Sequence, residues 1–232
     1  MKLAAQLYTI HDYTKNESDI ERSLYKIKEI GYNAIQISAF GEYRTPWLAD
    51  LLQKLQLEVC VTHMPYARIV GDVDRLIEEH RMLGCSTIGL GSLPKYDRAS
   101  VTATFEELAP SIDKIHEAGM KFVFHNHWKE FIPDESDGKN TFDLYCERFP
   151  ADRAGILMDF YWLVYACQKP MAKFLQCGFE VFIKSVGFFR VSRAGKRGAA
   201  SGRNIGTQSE LGNDQSCSAD IQKRTVHFPL FI

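Results

Sequence analysis

The sequence predicts an α/β fold of the (β/α)8 barrel type, incomplete after strand six or seven. Three observations predict it. Short runs rich in Val, Ile and Phe recur, and their first residues lie 31, 25, 29, 34, 33 and 26 positions apart, near the 30 or so residues of a βα unit. The segments between them carry apolar residues at one-face helical spacing. The first run is followed by YTIHDYTKNES rather than the glycine-rich turn of a doubly wound nucleotide binder, which favours the closed barrel.

The elements follow in order. The strands are KLAAQLYTI from Lys2, NAIQISA from Asn33, EVCVTH from Glu58, TIGLGS from Thr87, KFVFHNH from Lys121 and AGILMDF from Ala154, with EVFIKSV from Glu180 as a weaker seventh. Most are apolar throughout, as strands of a parallel sheet covered on both faces are. Ser18-Asp19-Ile20-Glu21 reads as a capping box, Ile20, Leu24 and Ile27 form the first helical stripe, and Gly31 stands where a left-handed stop belongs. Val73, Leu76, Ile77 and Leu83 precede Gly84, and Ile112 and Ile115 precede Gly119, in the same grammar. Pro110 is expected to kink or restart that third helix.

The chain has 232 residues and a net charge of -1. That total hides an asymmetry: residues 1–186 carry 21 basic and 26 acidic groups, residues 187–232 carry 7 and 3. Between Val191 and Arg224 the large aliphatics thin out and no period of 2 or 3.6 remains. We therefore read 1–186 as an incomplete βα-barrel domain and 187–232 as an atypical basic tail of low order, arising from a frameshift or from unrelated sequence. The near-neutral balance lacks the single-sign field of a duplex-binding surface, so no nucleic acid partner is expected. No run approaches the roughly 20 apolar residues of a membrane span, so no membrane partner is expected either. Six cysteines without a CxxC pair indicate neither a zinc knuckle nor a disulfide framework, which makes a reducing cytoplasm the expected location.

In such a barrel functional groups project from the C-terminal ends of strands. The polar residues there are Gln6 and Tyr8, His63, the group His125, Asn126, His127 and Glu130, and Asp159 with Trp162. Alternation along FHNH puts His125 and His127 on one face and Asn126 on the other. Two imidazoles with a carboxylate suit a divalent metal or acid/base work near neutral pH; a hydrogen-bonded cap on the strand end is the competing role. Asp159 closes the apolar run GILM, where a carboxylate needs a cation or several donors; ligation and N-capping of the next helix both meet that need. His63 and Gln6 could each donate to a substrate hydroxyl or phosphate, and Trp162 could wall a sugar ring or simply pack.

AQLYTI, KEIGYNAIQIS, VTHMPY, GCSTIGLG, HEAGMKFVFHNHWKEF and GILMDFYWLVYA together resemble the sugar phosphate isomerase/epimerase group of xylose isomerase-like TIM barrels, over residues 1 to about 175. The resemblance implies an isomerase, epimerase or related dehydratase acting on a sugar or cyclitol through an enediolate, with one divalent metal (Mn, Zn, Co or Mg). It implies His125 and Asp159 as metal ligands and puts Glu130, His127 and His63 at positions expected to touch substrate; we take Glu130 and His127 as the catalytic residues and Gln6, His63, Asn126 and Trp162 as the substrate contacts.

The seventh strand departs from the family pattern V-H-x-K-D, because EVFIKSV places Phe182 at the ligand His, Lys184 at the Lys and Ser185 at the Asp. No eighth strand ending in a ligand Glu follows, since Glu210 has no strand before it. A weakly held metal and impaired activity are the expectation. A non-catalytic sugar-binding or regulatory barrel is the alternative, and the related apurinic endonuclease, which assembles many metal ligands, is disfavoured by a total of seven histidines. A barrel edge left open is expected to pair with another chain as a homodimer.

Overall fold

The computed structural model describes residues 3–166, residue 168 and the backbone of 181–184. Among these residues seven parallel strands run in the order of the chain: β1 (Ala4–Gln6), β2 (Ala34–Ile37), β3 (Glu58–Met64), β4 (Thr87–Leu90), β5 (Lys121–His125), β6 (Ala154–Asp159) and β7 (Val181–Lys184). Each pairs with the next and none reverses, which is the topology of a TIM barrel short of closure. The expected residues Ser185 and Glu210 and the tail 187–232 lie outside the described residues, as do the side chains of Phe182 and Lys184.

Among the described residues seven α-helices join or follow the strands: α1 (Glu17–Ile30), α2 (Thr45–Leu55), α3 (Tyr66–Gly71), α4 (Val73–Met82), α5 (Arg98–Glu117), α6 (Thr141–Arg148) and α7 (Phe160–Tyr165). None of them is long and apolar enough to cross a membrane. The stripe Ile20, Leu24 and Ile27 is buried, and Gly31 closes α1 at φ 107°, a conformation that favours glycine because it has no Cβ.

Three local expectations give way. The N-cap of α1 is Asn16, whose side chain accepts from the Asp19 amide, so Ser18 sits inside the first turn rather than capping it. The first strand stops at Gln6, because its side-chain oxygen accepts from Thr9 N and turns Leu7–Tyr13 into a 3-10 segment. Pro110 neither kinks α5 apart nor restarts it: the 20-residue helix runs through, held by Val101, Phe105, Leu108, Ile112 and Ile115, all buried against the sheet.

The core lies mainly between the sheet and its helices. One cluster gathers Ile88, Leu90, Phe122, Phe124, Ile156 and Met158 with α4 to α7, and a second gathers Leu7, Ile35, Ile37 and Val59 with α1 and α2. Among the described residues the inner face holds a small apolar group, Val61, Val123 and Leu157. A register shift between β2 and β3, where Ile35 faces Val59 but Gln36 faces Val61, accounts for one peculiarity. Such a bulge adds one residue and swaps the faces beyond it. Val59 therefore joins the outer cluster while Val61 joins the inner one, and His63, two residues on, lies on the inner side with Gln36.

Candidate functional site

Inward residues at the C-terminal strand ends form a continuous polar row. On β2, Gln36 is buried at 4% exposure and its amide lies 2.7 Å from His63 Nε2; Ser38, just past the strand, is 3.1 Å from His63 Nδ1. An amide nitrogen donates, so Nε2 accepts and Nδ1 carries the proton donated to Ser38. The His63 ring stands 4.9 Å from that of His125, which stands 4.6 Å from His127, which in turn stands 5.2 Å from Trp162. His125 Nε2 lies 3.9 Å from Asp159 Oδ2.

Glycine makes room for this row. A Cβ on Gly89 of β4 would sit 2.4 Å from the carbonyl oxygen of Thr62, and one on Gly91 would touch the His63 ring at 3.4 Å. Any side chain at Gly89 would force the two strands apart. Behind the row, on the outer face, Thr62 and His80 of α4 satisfy each other at 2.7 Å, and His80 Nδ1 donates to Leu76 O. Burial holds the His80 imidazole below its usual pKa, so it stays neutral as a core element.

His125 is the last residue of β5 and is buried; its Nδ1 donates to Leu157 O at 3.3 Å and its Nε2 faces Asp159. That is the tautomer in which a metal-ligating histidine is usually held. Asp159 ends β6 and caps α7, its Oδ1 accepting from the amides of Tyr161 at 2.9 Å and Trp162 at 3.5 Å. Of the two roles weighed for Asp159, the N-cap is formed, and it engages Oδ1. In kind, an imidazole nitrogen and a carboxylate fit a divalent cation, but among the described residues no group of three or more His, Cys, Asp or Glu side chains is arranged to hold one.

The remaining expected residues each have defined partners. Asn126 is fully buried and clasps β6, its Nδ2 donating to Asp159 O and its Oδ1 accepting from Asp159 N; both ends of its amide are engaged away from the mouth. Gln6 caps the 3-10 segment that follows β1. Glu130 points inward at 0% exposure, where His127 N donates to Oε2 at 3.0 Å and the Tyr96 hydroxyl donates to Oε1 at 3.1 Å. Trp162 stands beside His127 on α7, stacked edgewise with Tyr161 and Tyr165.

Sequence reasoning missed Gln36, Ser38 and Tyr96. Gln36 had a readable signal, a lone amide inside the apolar run AIQI; Tyr96 had none, since it reaches Glu130 from a loop 34 positions away. A cavity of about 630 Å3 opens beside His63, walled by Phe40, Tyr43, Pro46 and Met64. Two of its cations, Arg68 and Arg75, are paired with Glu79 at 2.9 and 3.1 Å. Burial, and secondarily the Glu79 carboxylate, push the Tyr43 phenol up.

No family model matches this chain, and no curated protein does. Solved structures do. A sugar phosphate isomerase/epimerase from Parabacteroides distasonis ATCC 8503 is 18% identical over 76% of this chain and 71% of its own, with a TM-score of 0.66. The probable 3-DHS dehydratase AsbF involved in petrobactin synthesis from Bacillus anthracis is 14% identical over 76% and 69%, at 0.55. An L-ribulose 3-epimerase is 16% identical over 70% and 62%, at 0.52. At such identities the likeness establishes the fold: an incomplete TIM barrel whose structural neighbours are sugar phosphate isomerase/epimerase and xylose isomerase-like proteins.

Proposed function

We propose that this chain binds a sugar or cyclitol across its strand ends and isomerises or epimerises it by proton transfer through an enediolate. The observation that supports this reading is the unbroken row Gln36, His63, His125, His127 and Asp159, walled by Trp162. Aromatic faces pack on the apolar faces of sugars, and the amide and imidazole groups provide donors and acceptors for hydroxyls. His127, backed by Glu130, is positioned to hold and move the proton, since an imidazole exchanges protons near neutral pH. His63, fixed by Gln36 and Ser38, orients the substrate from the other side, and the cavity next to it accommodates the far end of the molecule. His125 and Asp159 would hold a divalent cation (Mn, Zn, Co or Mg), which when bound supplies Lewis-acid polarisation of the carbonyl. Two donors make that binding weak compared with a full ligand set.

The test is solvent exchange. The full chain is incubated with Mn and L-ribulose, and with other ketoses in parallel, in deuterated water. Deuterium should enter the carbon next to the carbonyl, and Asp159→Asn, which keeps the cap but loses the charge, should slow it. A wild-type protein that exchanges nothing in any ketose defeats the catalytic reading.

A second reading, a non-catalytic sugar-binding barrel, is favoured by one observation: the carboxylates of Asp159 and Glu130 are both engaged in local hydrogen bonds. Calorimetry separates the two, because sugar binding indifferent to a chelator belongs to the second. We also propose pairing with a second copy through the edge strands β1 and β7, each of which has one neighbour among the described strands. A monomeric peak in gel filtration at high concentration would refute that pairing.

A further inference from the structure

A carboxylate at 0% exposure persists only where donors surround it. Around Glu130 two are in place: the Tyr96 hydroxyl at 3.1 Å on Oε1, and the His127 backbone N–H at 3.0 Å on Oε2. A third polar atom is close. His127 Nδ1 is 3.7 Å from Oε1, itself buried and without a hydrogen-bond partner. A buried ring nitrogen in that position is costly unless it turns its proton towards the carboxylate. Tyr96 comes from the segment between β4 and α5, and burial, together with the Glu130 carboxylate, pushes its phenol well above the usual range. Tyr96 is thus a permanent donor, and Oε1 is the one oxygen shared between its hydroxyl and the His127 ring.

We propose that Tyr96, acting through Glu130, is a positioning residue for His127, holding the imidazole in the tautomer with its proton on Nδ1. Nε2, across the ring, is then left as the proton acceptor at the barrel mouth. The arrangement follows the general logic of a carboxylate that orients a histidine and fixes its tautomer, with the phenol fixing the carboxylate in turn. It deepens the sugar-isomerising reading of His127 and its functional consequence rests on that reading, whereas the tautomer itself does not.

The experiment separates the two. Nitrogen NMR on full-length protein carrying labelled histidine, with imidazoles neutral and His127→Gln identifying the resonance, should show His127 protonated at Nδ1. Tyr96→Phe removes one oxygen and should move His127 towards a mixture of tautomers, with the fold unchanged by circular dichroism. In the L-ribulose exchange assay the same variant should lower kcat by about tenfold while KM stays within about twofold, because orientation of an acid/base group acts on the chemical step. Glu130→Gln should have the larger effect on the tautomer; if it does not fold, Tyr96→Phe decides alone. A wild-type His127 protonated at Nε2, or a tautomer indifferent to Tyr96→Phe, overturns the proposal. Absence of exchange in the wild type with the tautomer effect intact would instead overturn the isomerase reading.

Discussion

The two faces of the sheet are made from alternate residues of the same strands, and they are chemically opposite. On β5 and β6 the outward residues Phe122, Phe124, Ile156 and Met158 are packed under helices, whereas the inward Val123 and Leu157 give way at the strand ends to His125 and Asp159. On β4 the outward residues are Ile88 and Leu90 and the inward one is Gly89, with Gly91 just past the strand end. The outer face therefore carries the burial that holds the molecule together, near 25 cal/mol per Å2 of apolar area. The inner face is left small and polar, so that rings from neighbouring strands can meet there. Stability and chemistry are separated by a single step along the chain.

The strongest test of that separation uses adjacent residues. Phe124 is fully buried and stacks on Tyr145 at 4.8 Å. Phe124→Ala is expected to cost about 3–5 kcal/mol, as large aromatic truncations in cores do. His125→Ala should cost less, within the ~0.5–3 kcal/mol of ordinary substitutions, yet should weaken sugar binding the more of the two. Urea denaturation and calorimetry on both variants check this, and equal losses of stability would erase the distinction between the faces. On β4 the comparison can be repeated within the inner face. Gly89→Ala forces a Cβ onto the Thr62 carbonyl and should destabilise by about 1–3 kcal/mol, the usual cost of overpacking. Gly91→Ala meets the His63 ring only at contact distance, so a change within about 1 kcal/mol is expected, with the gain of backbone restriction offsetting any crowding.

The outer layer has its own polar exception, and breaking it should cost less than breaking the aromatic core. Thr62→Val keeps the shape but leaves His80 Nε2 buried without its donor, at a cost of about 1–3 kcal/mol. A thermal melt that is unchanged in Thr62→Val would show that the buried imidazole finds another partner.

How much of this was legible in the sequence follows from the same geometry. The outer face was, because Phe122 and Phe124, or Ile20, Leu24 and Ile27, announce themselves by period and composition. The strand-end residues His125 and Asp159 were too, since a polar side chain ending an apolar run stands out. What could not be read is whatever depends on register. Val59, Val61 and His63 alternate as if on one face, and only the bulge between β2 and β3 brings His63 inward to Gln36. Nor does pattern show which polar atom a buried group meets: Glu130 looks like a free loop carboxylate until Tyr96 and the His127 amide are seen around it. Nor does pattern show that the Asn126 amide bonds both backbone groups of Asp159 on the neighbouring strand.

The finest contrast between the two faces is in their histidines, and pH resolves it. His80, in the outer layer, is held neutral by burial, with its folded pKa lowered below the ordinary value near 6.5. The unfolded chain then binds a proton at His80 more readily than the folded one. Between the lowered folded value and roughly 6.5, unfolding takes up that proton and stability rises with pH. The contribution is complete above about pH 6.5 and is lost as the pH falls towards the folded pKa. His80→Gln, which keeps a polar side chain against Thr62, should flatten this part of the stability profile measured by urea denaturation between about pH 5 and 7. A profile that His80→Gln leaves unchanged would place the acid-sensitive group away from the outer layer, and the division of labour between the two faces would have to be redrawn.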